Sequence, residues 1–184
     1  QDRSAETAPL IEESIQKVLD VSEEISSLDF YQTLFKNALT ESFTDLADSP
    51  DAASFSRKVD QLIAGTPVTN VKIYMEVPKD SPSDINALFD KEDLKDTFLS
   101  LDQVRGTYWY GIFRGSRVSQ LFCPSFYLGT KEQKAYGDQA YITHASVIYK
   151  NGTYDAYMAV YYSGHDFQQI LSGNLTLDGS VSYF

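Results

Sequence analysis

Few residues of this 184-residue chain could do catalytic or metal chemistry: one cysteine, Cys123, and two histidines, His144 and His165. A zinc site needs three or four such ligands at close spacing, and the chain shows no such pattern. Cys123 and His144 could form a nucleophile and its base. No cysteine-enzyme signature accompanies them, and a lone cysteine is usually a buried small hydrophobe. We therefore predict that this segment is not an enzyme and holds no metal or cofactor.

Carboxylates are abundant but do not suggest a catalytic pair. The adjacent glutamates at 12–13 and 23–24 flank an apolar stripe, which favours the solvated face of a helix. The formal net charge is −11, and no basic patch is visible. A nucleic-acid partner requires such a patch, so this class of partner is excluded. The acidity also disfavours direct binding to an anionic membrane surface.

Aromatic residues are the other chemically distinctive set, with 13 Tyr, 11 Phe and 1 Trp. Most follow Ile73. Tyrosine combines a flat apolar ring with a hydroxyl group, so it often lines ligand cavities. Aromatic residues are equally common in ordinary β-strands. Both interpretations stay open at this level.

The last third of the chain predicts a β-hairpin. The residues from Gln139 to Tyr149 are rich in β-branched and aromatic types, and so are those from Tyr154 to Tyr162. Asn151-Gly152 between them is a strong hairpin signal, because both residues tolerate positive φ. After the hairpin, Ser163 or Asp166 could cap a short helix that carries apolar residues on one face, namely Phe167, Ile170 and Leu171.

The first fifty residues predict a long helix. Apolar residues fall at helical spacing at Ile11, Ile15, Val18, Ile25 and Leu28. The pattern shifts around Ser26-Ser27, where Asp29 could cap or kink the helix. From Phe30 to Leu46 the apolar face widens, which suggests packing on a sheet. Asp48-Ser49-Pro50 ends the run.

The middle of the chain alternates helix and strand patterns. We expect a helix over 52–64, a strand over 68–77 and a short helix within 85–96. The segment 106–113 has a strand composition, and 118–122 predicts a further strand. The residues 124–138 suggest a polar excursion over the surface. No apolar run approaches the ~20 residues that span a bilayer.

The order of these elements resembles a known family. The motifs are D-F-Y-Q-T-L-F (29–35), V-T-N-V-K-I-Y (68–74), T-Y-W-Y (107–110), C-P-S-F-Y (123–127) and the hairpin with its following residue (141–163). Together they are similar to a PAS-like Cache domain, and more narrowly to the extracellular sensor region of YesM-type bacterial sensor histidine kinases. The resemblance covers most of the chain.

The resemblance implies an α+β fold with a central antiparallel sheet, a long N-terminal helix on one face and flanking short helices. It places a ligand cavity on the other face, under the segment 80–103. The expected organisation is a signalling helix over 1–50, a Cache core over 51–178 and the start of a truncated strand over 179–184. The implied protein is a receptor in the bacterial plasma membrane, with this part outside the cell and flanking membrane helices removed. A homodimer through the N-terminal helix is a further expectation.

The resemblance also implies site residues. Trp109 and Tyr110 match the Trp-Tyr pair of the family, and Arg105 lies near its ligand-binding basic residue. Ser146 and Tyr161 stand where relatives carry charged residues. The expected site is therefore aromatic and weakly charged, and suits a neutral, sugar-like small molecule. Its residues are Arg105, Trp109, Tyr110, Tyr127, Tyr141, His144 and Tyr161.

Several alternatives stay open. Trp109 could line the pocket or belong to the core. The segment could be a solute-binding or adhesion module without a kinase, or a sensor that reads a protein partner and binds no small ligand. An enzyme that depends on Cys123 is the third class.

Overall fold

A computed structural model describes residues 4–36, 42–78, 83–149 and 152–164. They form one five-stranded mixed sheet with helices packed on its two faces. The spatial order of the strands is β2-β1-β5-β4-β3. Their bounds are β1 Val68–Met75, β2 Phe98–Ser100, β3 Gln120–Cys123, β4 Gln139–Tyr149 and β5 Gly152–Tyr162. The fold is thus α+β, as the sequence indicates.

The predicted hairpin is confirmed. Strands β4 and β5 pair without interruption from Gln139 opposite Tyr162 to Tyr149 opposite Gly152. The turn residues 150–151 lie outside the described residues. The same is true of the predicted helix with Asp166, Phe167, Ile170 and Leu171, of His165, and of the segment 179–184.

One strand pair departs from the expected antiparallel sheet. Strands β1 and β2 run parallel, with Ile73 opposite Phe98. A parallel neighbour requires a long crossover connection, and the residues between β1 and β2 supply one. That connection contains helix α5, Ser83–Asp90.

The first fifty residues do not form one long helix, although the first break falls where Asp29 was expected to cap or kink it. Helix α1 spans Ser4–Ser26 and α2 spans Asp29–Phe35, with an extended Leu28 between them. Helix α3, Phe43–Ala47, and α4, Pro50–Ile63, follow. Ser42 and Ser49 cap α3 and α4, since each hydroxyl accepts a backbone N–H of the next helix. Each cap begins a new helix and so breaks the run.

Helices α1 to α5 cover the first face of the sheet. Val18 and Ile25 of α1 are buried against it, whereas the paired glutamates at 12–13 and 23–24 are exposed, as expected for a solvated helix face. Phe30, Phe55 and Phe98 meet at the centre of this layer, with ring centroids 5.3 to 5.9 Å apart. Among the described residues, no helix is long and apolar enough to cross a membrane.

The second face is covered by two short helices, and here the sequence-based assignment is wrong. The segment 106–113, predicted as a strand, forms helix α6, Tyr108–Gly115. The Thr107 hydroxyl caps this helix by accepting the Tyr110 N–H. Trp109 and Phe113, four residues apart, then pack on the sheet together. The predicted surface excursion 124–138 contains helix α7, Thr130–Ala135.

The resemblance implied that the segment 80–103 covers the second face, but most of this segment packs elsewhere. Ile85 and Leu88 of α5 pack into the core of the first face, and only the end of the segment, at Leu101, reaches the second. Residues of this segment do line an open groove of about 420 Å³ along β2, between Phe89 and Gln103. The groove that this segment lines therefore lies at the sheet edge, whereas Trp109 is fully buried on the second face.

The aromatic contact of Phe55 with Phe30 and Phe98 links α4 to α2 and β2. Replacing Phe55 by Ala removes a fully buried ring, so we expect the free energy of unfolding to fall by about 3–5 kcal/mol. Urea denaturation followed by circular dichroism measures this change. Phe126→Ala is the matched control, because Phe126 is 74% exposed and should change stability by less than about 0.5 kcal/mol. Equal effects of both changes would contradict this core.

Candidate functional site

Helix α6 positions the residues nearest to the predicted site. Its Trp109–Phe113 pair points into the core of the second face. Tyr110 and Arg114, also four residues apart, form the adjacent row of the same helix. This second row is partly or fully exposed and lies beside the end of β1 and the middle of β4 and β5.

Trp109 itself is a core residue, with an exposed fraction of 0%. Its ring contacts Tyr157 and Tyr74, with centroids 5.5 and 6.2 Å away. The indole N–H lies 3.2 Å from both carboxylate oxygens of Glu132. Since every part of the side chain is already in contact, replacing Trp109 would test stability and not ligand binding.

Glu132 is the most notable residue that sequence reasoning missed. It lies in α7, inside the segment assigned to the surface, yet its exposed fraction is 4%. Besides Trp109, its carboxylate accepts the Gly129 N–H at 2.9 Å and the Tyr161 hydroxyl at 2.5 Å. A glutamate three residues after a helix N-cap is half of a capping box, and this spacing could have indicated the start of α7.

Tyr161 belongs to the same buried network. Its hydroxyl proton is engaged with Glu132, so the Tyr74 hydroxyl donates to the Tyr161 oxygen at 2.8 Å. Burial raises the pKa of both Tyr74 and Tyr161 far above the ordinary tyrosine value, and the neighbouring Glu132 charge raises them further. Both phenols therefore stay neutral and act as hydrogen-bonding groups of the core.

Helix α7 is also fixed at its other end. The Thr69 hydroxyl and the Asn70 amide of β1 both donate to the Tyr136 carbonyl, at 2.6 and 2.8 Å. Next to it, Gly137 approaches the Tyr162 carbonyl so closely that a Cβ would lie 2.9 Å from that oxygen. These contacts hold α7 against the sheet, with Glu132 beneath it.

A cluster of accessible polar groups lies along the outer row of α6. We call it the α6 ledge and define it by Glu76, Arg105, Tyr110, Arg114, His144 and Asp155. The Arg105 guanidinium donates to the Tyr110 hydroxyl at 2.9 Å and to Asp102 at 2.6 Å, and lies 3.9 Å from Glu76. It also packs against the Tyr110 ring.

Asp155 is the centre of the other half of the ledge. One carboxylate oxygen lies 2.8 Å from His144 Nε2, and the other lies 3.7 Å from the Arg114 guanidinium. The Asp155 N–H donates to the Glu76 carboxylate at 3.1 Å. Tyr157 forms the floor, since its ring contacts both Tyr110 and His144. The ledge thus combines two guanidinium groups and two carboxylates around aromatic rings, and it can exchange hydrogen bonds with a polar molecule.

The structure brings together some of the predicted site residues and separates others. Arg105, Tyr110 and His144 belong to the ledge, whereas Trp109 and Tyr161 lie in the core below it. Tyr127 instead packs against Tyr108, with centroids 4.9 Å apart. Tyr141 lies on the opposite face of the sheet, where it donates to Gln120 at 2.6 Å. Glu76, Arg114 and Asp155 complete the ledge, and no sequence motif marks them.

Cys123 and His144 do not form a dyad. Cys123 is buried in the core of the second face, and burial raises the pKa of its thiol to about 12. His144 binds Asp155 and stacks on Tyr157. In the described ranges, no group of three His, Cys, Asp or Glu residues is placed to hold a metal ion.

No protein-family model, curated protein or solved structure matches the chain.

The Glu132 network should contribute measurably to stability. Tyr161→Phe removes one donor from a buried carboxylate and the acceptor of the Tyr74 hydroxyl. We expect a loss of about 1–3 kcal/mol in the free energy of unfolding, because buried polar groups would lose their partners. Guanidinium denaturation measures it. Tyr108→Phe is the control, since Tyr108 is 62% exposed and should behave like the wild type. A neutral effect of Tyr161→Phe would show that the network adds no stability.

The thiol of Cys123 should be inert in the folded protein. At pH 8 almost none of it is the reactive thiolate, because its pKa is about 12, and its side chain is buried. We expect no modification by iodoacetamide under native conditions and complete modification in denaturant, both measured by mass spectrometry. Rapid labelling of the native protein would contradict both the burial and the raised pKa.

Proposed function

We propose that this chain is the extracytoplasmic ligand-sensing domain of a membrane-bound, two-component sensor histidine kinase, and that its fold is a PAS-like Cache fold. The supporting observation is the α6 ledge. It lies on the face of the sheet opposite to the long helix α1 and contains three of the residues predicted to bind a ligand, Arg105, Tyr110 and His144.

The chemistry of the ledge suits a neutral polar molecule. Arg105 and Arg114 supply donors, whereas Glu76 and Asp155 supply acceptors, so the four charges balance. All four side chains are partly exposed and can turn from one another towards a ligand. The half-buried Tyr110 ring offers an apolar surface for stacking. A sugar-like molecule combines hydroxyl groups with such an apolar face.

The proposed signal is a shift between two arrangements of sheet and helices. A ligand can shift such an equilibrium only by its difference in affinity for the two states. The ledge joins α6 to the end of β1 and to the middle of β4 and β5, so binding there changes contacts between separate elements. In the proposed receptor, α1 carries the change towards the membrane and pairs with its copy in a homodimer.

A second candidate function is the sensing of a protein partner without any small ligand. It is favoured by the exposed aromatic residues Tyr108 and Phe126, which both contact Tyr127. Such an exposed aromatic group is typical of protein-binding surfaces. A solute-binding or adhesion module is the other alternative. The gene distinguishes it, because our proposal requires membrane helices and a kinase domain in the same protein.

A thermal-shift screen against sugars, polyols, amino acids and short peptides tests ligand binding at the ledge. A ligand at a hundred times its Kd stabilises the folded state by about 2.7 kcal/mol, which raises the melting temperature by several degrees. We expect Arg105→Gln to reduce the affinity of any such ligand by about tenfold or more, because a charge-assisted hydrogen bond is lost.

Arg57→Gln is the matched control, because Arg57 is exposed on α4, away from the ledge. It should leave the affinity unchanged. The same ligand should alter autophosphorylation of the full-length protein in membrane vesicles, and Arg105→Gln should weaken that response. A ligand whose affinity ignores Arg105 would refute the ledge as the site. A full-length protein without a kinase domain would refute the receptor proposal.

A further inference from the structure

A separate pocket of about 320 Å³ lies on the first face of the sheet, beneath α1. One side of α1 forms a wall with Leu19, Ser22, Glu23 and Ser26, whose spacing of three, four and seven residues places them on a single helical face. The remaining lining comes from α2, from the strands and from Lys36 after α2: Tyr31, Lys36, Tyr141, Thr143, His144 and Met158. Thr143 of β4 is paired with Met158 of β5 and forms the floor with it.

The polarity of this lining is unusual for a place where a helix packs on a sheet. Hydroxyl groups come from Ser22, Ser26, Tyr31, Tyr141 and Thr143, and Ser22 has an exposed fraction of only 5%. Elsewhere along α1, Val18, Val21 and Ile25 are buried and apolar, and Ser14 is a second buried serine. Ser26 and Thr143 are partly exposed, so hydroxyl groups of this lining can form hydrogen bonds with a polar molecule in the pocket.

Several of these hydroxyl groups retain the capacity to accept a hydrogen bond. The Ser26 hydroxyl donates to the Glu23 carbonyl at 2.7 Å, and the Tyr141 hydroxyl donates to Gln120 at 2.6 Å. Each oxygen still has lone pairs. The charged residues of the lining, Glu23 and Lys36, are exposed and of opposite sign. The pocket therefore offers neutral hydrogen-bonding groups inside and a balanced pair of charges outside.

We propose that this pocket binds a small neutral molecule with several hydroxyl groups, such as a monosaccharide or a cyclic polyol. Its volume lies near the lower end of the range of ligand sites, about 300–1,000 Å³. The hydroxyl groups of such a molecule both donate and accept. Its C–H face packs on the rings of Tyr31 and Tyr141 and on Met158 and Leu19.

The proposed pocket lies mainly on the first face of the sheet and the α6 ledge lies on the second, although His144 of β4 borders both. Only the signalling consequence rests on the proposed function. A molecule in the pocket would contact α1 and β4 at once, so it would affect the position of α1 directly. An occupant of the ledge could reach α1 only through the sheet.

NMR titration of the ¹⁵N-labelled chain with D-glucose, D-xylose and myo-inositol tests the proposal. We expect at least one probe to shift the amide signals of Ser22, Ser26, Tyr31 and Thr143. Ser22→Leu fills the pocket and should abolish these shifts. Gln16→Leu is the matched control, because it places the same side chain at an exposed position of α1 and should leave binding intact.

Thr143→Val provides a second variant in case Ser22→Leu does not fold. It removes one hydroxyl group at nearly constant volume, so we expect binding to weaken by roughly threefold to tenfold. Unchanged affinity in this variant would overturn the pocket. Probe-induced shifts confined to Tyr110, Arg114 and Asp155 would also overturn it, and would support the α6 ledge. No shift with any of the three probes would overturn the proposed ligand class, whereas shifts at the pocket alone would leave the ledge without support.

Discussion

The central strand β5 is buried on both faces of the sheet, and the arrangement of the other described elements follows from this constraint. Every residue from Ala156 to Tyr162 is buried. The even-numbered positions pack into the core under α1 to α5, and the odd-numbered positions pack into the core under α6 and α7. Both faces must therefore be covered. The N-terminal helices cover one face, and two short helices with their connecting turns cover the other.

The two cores that cover the faces of β5 differ in the side chains that fill them. The first is built mainly from aliphatic and phenylalanine side chains, and it also contains tyrosines such as Tyr31, Tyr141 and Tyr149. The second contains Trp109, Tyr74 and Tyr161, whose polar atoms require partners when they are buried. Glu132 provides these partners at one point and thereby links α7, α6, β5 and β1. A buried carboxylate that accepts hydrogen bonds only from neutral donors is costly unless its geometry is held rigidly. The second face is therefore a fixed platform, and its accessible groups lie at the rim, in the α6 ledge.

The sequence predicts those parts of the fold that depend on neighbours close in the chain. The hairpin is found because its turn and strand composition are local, and α4 is found from its periodicity and the following Gly65. Helix α6 is missed because Tyr108 to Phe113 has a strand-like composition, and only the Thr107 cap and the Trp109–Phe113 spacing favour a helix. Glu132 is missed because its burial depends on Trp109 and Tyr161, which are 23 and 29 positions away. Arg105 and Tyr110 were identified through the resemblance, whereas Arg114 and Asp155 become ligand-site candidates only when the fold places them together.

The position of α1 decides how the two candidate sites could act on a receptor. The ledge involves α6, the end of β1 and the middle of β4 and β5, and apart from His144 it is separated from α1 by a sheet that is closely packed on both sides. A rearrangement there must move strands β1, β4 or β5 before it reaches α1. The pocket under α1, in contrast, is lined by Leu19, Ser22, Glu23 and Ser26 of that helix itself. A molecule bound there would contact both α1 and β4. If it bound more tightly at one distance between α1 and β4, it would directly shift the equilibrium between the two arrangements of helix and sheet. In a sensor that transmits through its N-terminal helix, a molecule in the pocket would therefore act on that helix directly. The ledge has more charged side chains with which to recognise a ligand.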